Sequence, residues 1–111
     1  MRKCWFFAVL LLLAGLSCSN RNEVRKPGVF IEEQQMIDIL ADSYLIEAQL
    51  NVMKSEGVDV DNLPVDYYAQ LFEHYGITDS IFEQNLYYYT HHPDILERIM
   101  DSVNDRFIRA Q

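Results

Sequence analysis

Cysteine is scarce in this chain of 111 residues, with only Cys4 and Cys18 present. Two thiols cannot staple a small domain, so a disulfide-built scaffold is excluded. Three prolines and four glycines are too few for a low-complexity or collagen-like chain. Basic side chains are also few, nine against seventeen acidic ones, giving a formal net charge of -8 and a pI near 4.6. From Pro27 to Glu97 the only lysine or arginine is Lys54, against fourteen acids. Such a surface repels phosphate, which excludes a nucleic-acid partner. The length suits one small domain.

The one long apolar run is Trp5 to Leu16, twelve residues behind the positive head Arg2-Lys3. It is too short to span a bilayer comfortably and has no polar face for a buried surface helix, so it reads as a bacterial secretory signal over residues 1–17. Ala14-Gly15-Leu16-Ser17-Cys18 resembles a lipobox, with Gly15 standing where the commonest form has leucine. The resemblance implies cleavage before Cys18, which then carries a diacylglycerol thioether and an N-acyl group; free Cys18 after ordinary cleavage is the rival. Two or more acyl chains anchor stably where one gives marginal binding. Removing 17 of 111 residues leaves 94 and takes Arg2 and Lys3 with it, shifting the formal charge from -8 to -10.

Residues 18–30 lack periodicity and contain the Pro27-Gly28 turn signal, and they read as a flexible tether. Arg21, Arg25 and Lys26 form a weak basic patch within reach of anionic headgroups. No acidic cluster directly follows Cys18, which favours a protein held at the outer membrane and facing the periplasm.

Residues 31–111 read as an all-α domain, a small bundle of about four helices. Glu32 and Glu33 favour a helix N-terminus, and the apolar pattern runs to about Met53. Met36, Leu40, Tyr44 and Ala48 form one stripe, with Ile37, Ala41 and Leu45 beside it. Apolar residues on further sides make this helix central, and Asp38 and Asp42 are assigned to a solvated face. Asp59 and Asp61 have calcium-loop spacing, but Leu63 and Pro64 occupy places that need an oxygen ligand and a glycine, so calcium is not expected. A second helix follows Pro64 and carries Tyr68, Leu71, Phe72 and Tyr75. Gly76 suits its C-terminal cap, and Thr78 suits the next N-cap. The third helix groups Phe82, Leu86 and Tyr89. Pro93 and Asp94 open the fourth, whose buried face is Leu96, Ile99, Met100, Val103 and Phe107. The Tyr75-Gly76-Ile77-Thr78 join has the form of a helix-turn-helix, which the acidic charge rejects.

Signals of catalysis are weak. His91 and His92 are adjacent and would diverge by about 100° on a helix, so they do not readily share a metal. Near a helix C-terminus, histidines are expected to serve the carbonyl ends. His74 joins them only by tertiary geometry. No serine has a nucleophile-elbow context. No catalytic residue, metal ligand or cofactor is therefore assigned. Six of the seven tyrosines fall between Tyr67 and Tyr89. Tyr68, Tyr75 and Tyr89 have core spacing, whereas Tyr67, Tyr87 and Tyr88 are the candidates for a partner-binding rim. The competing reading is a half-buried packing layer.

The lipobox at Cys18, the run Glu32-Glu33-Gln34-Gln35-Met36-Ile37-Asp38-Ile39-Leu40-Ala41-Asp42 and Glu47-Ala48 resemble the first half of a family of small lipoproteins of Bacteroidota, a domain of unknown function. Tyr68, His74-Tyr75-Gly76-Ile77-Thr78, Phe82, Leu86, Tyr88-Tyr89 and Pro93 resemble its second half. The resemblance implies an all-helical lipoprotein of the cell envelope and no particular activity. Two functions are consistent with these features. The first is a non-enzymatic module that binds an envelope protein or a client polypeptide, accessory or chaperone-like, with the membrane as a further partner through Cys18. The alternative is a small periplasmic hydrolase or metal-dependent enzyme using His74, His91 or His92.

Overall fold

The computed structural model describes residues 23–111, and the signal segment, Cys18 and Arg21 lie outside them. Four helices follow one another: α1 (Glu33–Ser55), α2 (Leu63–His74), α3 (Asp79–Thr90) and α4 (Pro93–Arg109). Among the described residues there is no strand, and no helix is long and apolar enough to cross a membrane. The all-α expectation is met.

Local chemistry sets most of the boundaries. Thr78 has an extended backbone, and its hydroxyl accepts a hydrogen bond from Ile81 N at 3.2 Å, capping α3. Gly76 takes φ +67° just after α2, a left-handed conformation that a side chain would strain. Ile77 N then donates to Phe72 O at 3.0 Å, closing the turn. Pro93 is the first residue of α4, where its missing N–H costs no helical bond.

α1 is the central element, contacting both α2 and α4. It runs antiparallel to α2: the Tyr68 hydroxyl donates to Glu47 Oε1 at 2.7 Å and the Tyr75 hydroxyl to Asp42 Oδ2 at 2.5 Å. It runs parallel to α4, with Arg98 gripping the Glu33 carboxylate through both Nε and Nη2, and Arg106 pairing with Asp38. Asp38 and Asp42 therefore do not form the solvated face expected of them. Both are half-buried and meet a donor from another helix, which periodicity within α1 cannot reveal.

The core is continuous through Ile31, Met36, Ile37, Ile39, Ala41, Leu71, Tyr88, Tyr89, Ile99 and Val103. The expected apolar stripe of α1 is buried only in its first half. Tyr44 is 48% exposed, Leu45 is 55% exposed and Ala48 is also exposed. α4 is the reason: it reaches its last turns where Phe107 meets Tyr44 edge-on at 6.2 Å, and α1 continues past it. Met36, Ile39, Ile99 and Val103 are almost wholly enclosed where α1 and α4 overlap.

Candidate partner-binding surface

The stretch before α1 does not behave as free tether over its full length. Asn85, wholly buried on α3, holds its backbone: Nδ2 donates to Val29 O and Oδ1 accepts from Ile31 N, both at 2.8 Å. The same Nδ2 donates to Ile81 O at 2.8 Å, so the amide is well satisfied. Tyr89 adds a bond from its hydroxyl to Ile31 O at 2.6 Å. A side-chain amide offers the donor and acceptor of a peptide unit, so Asn85 pairs with the strap as a neighbouring strand would. Phe30 packs on Tyr88 and Tyr89, with centroids at 5.3 and 5.8 Å, and Val24 also lies against the core. Within the stretch expected as tether, residues 18–30, Val24 and Phe30 pack against the core and Asn85 holds the Val29 carbonyl.

That docking also corrects the tyrosine rim. Tyr88 is 7% exposed, covered by Phe30 and by His92, whose ring lies 4.2 Å away. It is a packing residue. Tyr67 is half-buried on α2, and Tyr87 is 58% exposed on α3, facing the strap in a cleft with Val24, Arg25 and Pro27. The three tyrosines do not form one surface.

The histidines take the expected structural role at the end of α3. His91 Nδ1 donates to Tyr87 O at 2.8 Å and His92 Nδ1 to Tyr88 O at 2.7 Å, satisfying carbonyls in the last turn. His74 packs on Tyr75 at 5.0 Å. Among the described residues no group of three His, Cys, Asp or Glu side chains is placed to hold a metal ion.

A groove of about 390 Å³ runs along α1 and α4 between Tyr44 and Phe107. A larger one, of about 630 Å³, runs along α2 to the start of α3. Val65, Tyr68, Ala69, Phe72 and Ile77 form its apolar floor, while Glu73 and Asp79 supply acids at its side. Val65 is 74% exposed, a large apolar side chain left to water. Phe72 stacks against Phe82 at 5.1 Å and Tyr68 lies 6.1 Å from Phe72, so the floor is braced by rings rather than by flexible aliphatics. Tyr68 and Phe72 have core spacing, and their outer edges line the groove.

Burial and the adjoining carboxylates push the Tyr68 and Tyr75 hydroxyls up to about 12, since each donates its proton to an acid on α1. Burial does the same for Tyr89, reinforced by the charges of Glu33 and Glu32. The neutral phenol is thus favoured in the folded state. Stability from these three groups should be complete below the ordinary tyrosine pKa of 10.0 and be lost as pH rises from 10 toward 12. Urea midpoints measured across that range should fall as tyrosinate absorbance rises; a flat midpoint to pH 12 would contradict the assignment. In contrast, the Arg98 guanidinium holds the Glu33 carboxyl below its ordinary range, but both groups are well exposed and the pair sets alignment more than stability.

A family profile described as "Domain of unknown function (DUF4296)" matches residues 27–111. The chain belongs to this family. The DUF4296 match begins at Pro27, inside the docked strap, so the family's domain includes the residues that Asn85 and Tyr89 hold. Comparison with curated proteins found no match, and neither did comparison with solved structures.

Proposed function

We propose that this DUF4296 protein is a lipid-anchored envelope module that binds another polypeptide without catalysing a reaction. The observation that carries the reading is the open groove on α2, apolar along Val65, Tyr68, Ala69 and Phe72 and acidic at Glu73 and Asp79. Apolar floors with rigid aromatic rings suit an inserted side chain or an amphipathic segment, and flanking acids favour basic residues beside it. The lipobox-like Ala14-Gly15-Leu16-Ser17-Cys18 supports an anchor at Cys18, facing the periplasm from the outer membrane. An accessory or chaperone-like role follows if the partner is a client chain in transit.

A photocrosslinking residue at Ala69, in the groove, should capture polypeptides in intact cells, while one at exposed Glu97 on α4 should capture none. Equal capture at both positions, or none at Ala69, would reject the groove as the binding surface. The anchor is tested separately. Cys18→Ala should abolish incorporation of a labelled lipid precursor, and persistent labelling would reject Cys18 as its site.

A further inference from the structure

Very little chain separates the proposed lipid from the docked strap. From Cys18 to Val24 is six residue steps, at most about 20 Å when fully extended. α1 starts directly after the strap and runs 23 residues, about 35 Å at roughly 1.5 Å per residue. The tether is therefore shorter than the helix it feeds. It keeps the strap end of the domain within reach of the lipid, while the α1–α2 loop, which contains Asp59, lies at the far end of α1.

The strap end has the chemistry of a surface that meets headgroups. Val24, Pro27 and Tyr87 share one cleft with Arg25, Glu83 and Gln84, and Val29 is 56% exposed nearby in the chain. Tyr87 stacks on His91 at 4.2 Å, which fixes its ring while leaving the side chain 58% exposed. Lys26 sits 4.6 Å over the Phe30 ring. Arg25 and Lys26 are two of the six lysines and arginines among the described residues, and Arg98 and Arg106 on α4 are committed to Glu33 and Asp38. Amphipathic tyrosine rings and basic side chains are the residue types favoured where protein meets a bilayer surface.

We propose that the strap face, Val24, Arg25, Lys26, Val29 and Tyr87, rests on the headgroup layer of the membrane that holds the chain's own lipid. Arg25 and Lys26 meet lipid phosphates, and Tyr87 and Val29 enter the interface. This rests on the lipid anchor at Cys18 proposed above.

The test uses full-length protein purified from membranes, with acylation read by mass spectrometry, in vesicles of phosphatidylethanolamine and phosphatidylglycerol containing headgroup spin labels. A fluorophore on Gln84→Cys, in the strap cleft, should be quenched several-fold more than one on Asp59→Cys in the α1–α2 loop. Adding Tyr87→Ser and Lys26→Gln should reduce the quenching at position 84. Acylated protein with equal or reversed quenching overturns the membrane contact and leaves the anchor standing. Protein without acylation overturns both. Unchanged quenching at position 84 after Tyr87→Ser and Lys26→Gln also overturns the proposal.

Discussion

Asn85→Ala is expected to destabilise the domain by about 2–4 kcal/mol, because it leaves buried backbone groups of the strap without partners. Ile31 is 1% exposed, so its N–H has no water to replace the lost carbonyl oxygen of Asn85. Val29 O and Ile81 O lose their donor in the same step, although Ile81 O keeps its place in the helix ladder. Asn85→Asp should be no milder at neutral pH: a carboxylate can still accept from Ile31 N, but it turns negative charge toward two carbonyl oxygens. Tyr89→Phe, which removes one hydroxyl bond to Ile31 O and keeps the ring, should cost less than either. Urea unfolding followed by circular dichroism measures all three. An Asn85→Ala loss below about 1 kcal/mol would mean that the strap is not held as described.

Ile99→Ala should have an effect of similar size, about 2–5 kcal/mol, by a different route. Ile99 is fully enclosed in the core with Met36, Ile39 and Val103, where α4 meets α1. Shortening it removes apolar contacts and leaves a cavity that two helices fixed by Arg98–Glu33 and Arg106–Asp38 cannot readily close. Ile108→Ala on the same helix, where the side chain is 61% exposed, should stay within about 0.5 kcal/mol. The pair of variants separates packing from helix propensity, since both make the same chemical change in α4. Similar losses for the two would contradict the assignment of Ile99 to the core.

The helices and their ends are legible in the amino-acid order because their causes lie within a few residues. Thr78 caps the turn that follows it, Gly76 supplies a left-handed residue where one is needed, and Pro93 opens a helix at its first position. The α4 core face was equally legible from its spacing, as Ile99 and Val103 show. What escaped depends on partners far along the chain. Asn85 reaches residues 54 and 56 positions away, and nothing adjacent to the Pro27-Gly28 signal announces that the following residues are held. A hint was available: an asparagine one turn from both Ile81 and Tyr89, on an apolar helix face, is costly unless its amide finds buried partners. Tyr88 was misplaced for the same reason, since its cover is Phe30 from the strap. The half-exposed stripe of α1 was not legible either, because it depends on where α4 stops. Of the candidate surface, Tyr68 and Phe72 were recognised as residues and their groove was not, since a groove is a property of helix spacing.

The bonds from Asn85 and Tyr89 to the strap also impose an order of events. Residues 29–31 leave the ribosome early, but their partners are made 54 to 58 residues later. Until α3 has been synthesised, Phe30 and Ile31 have no aromatic wall to cover them and no amide to pair with. α2 can fold back on α1 earlier, across a loop of only a few residues. The first stretch of the domain to be made is thus among the last to find its place, and the closing of this long loop, with its entropic cost, should weigh on the folding rate.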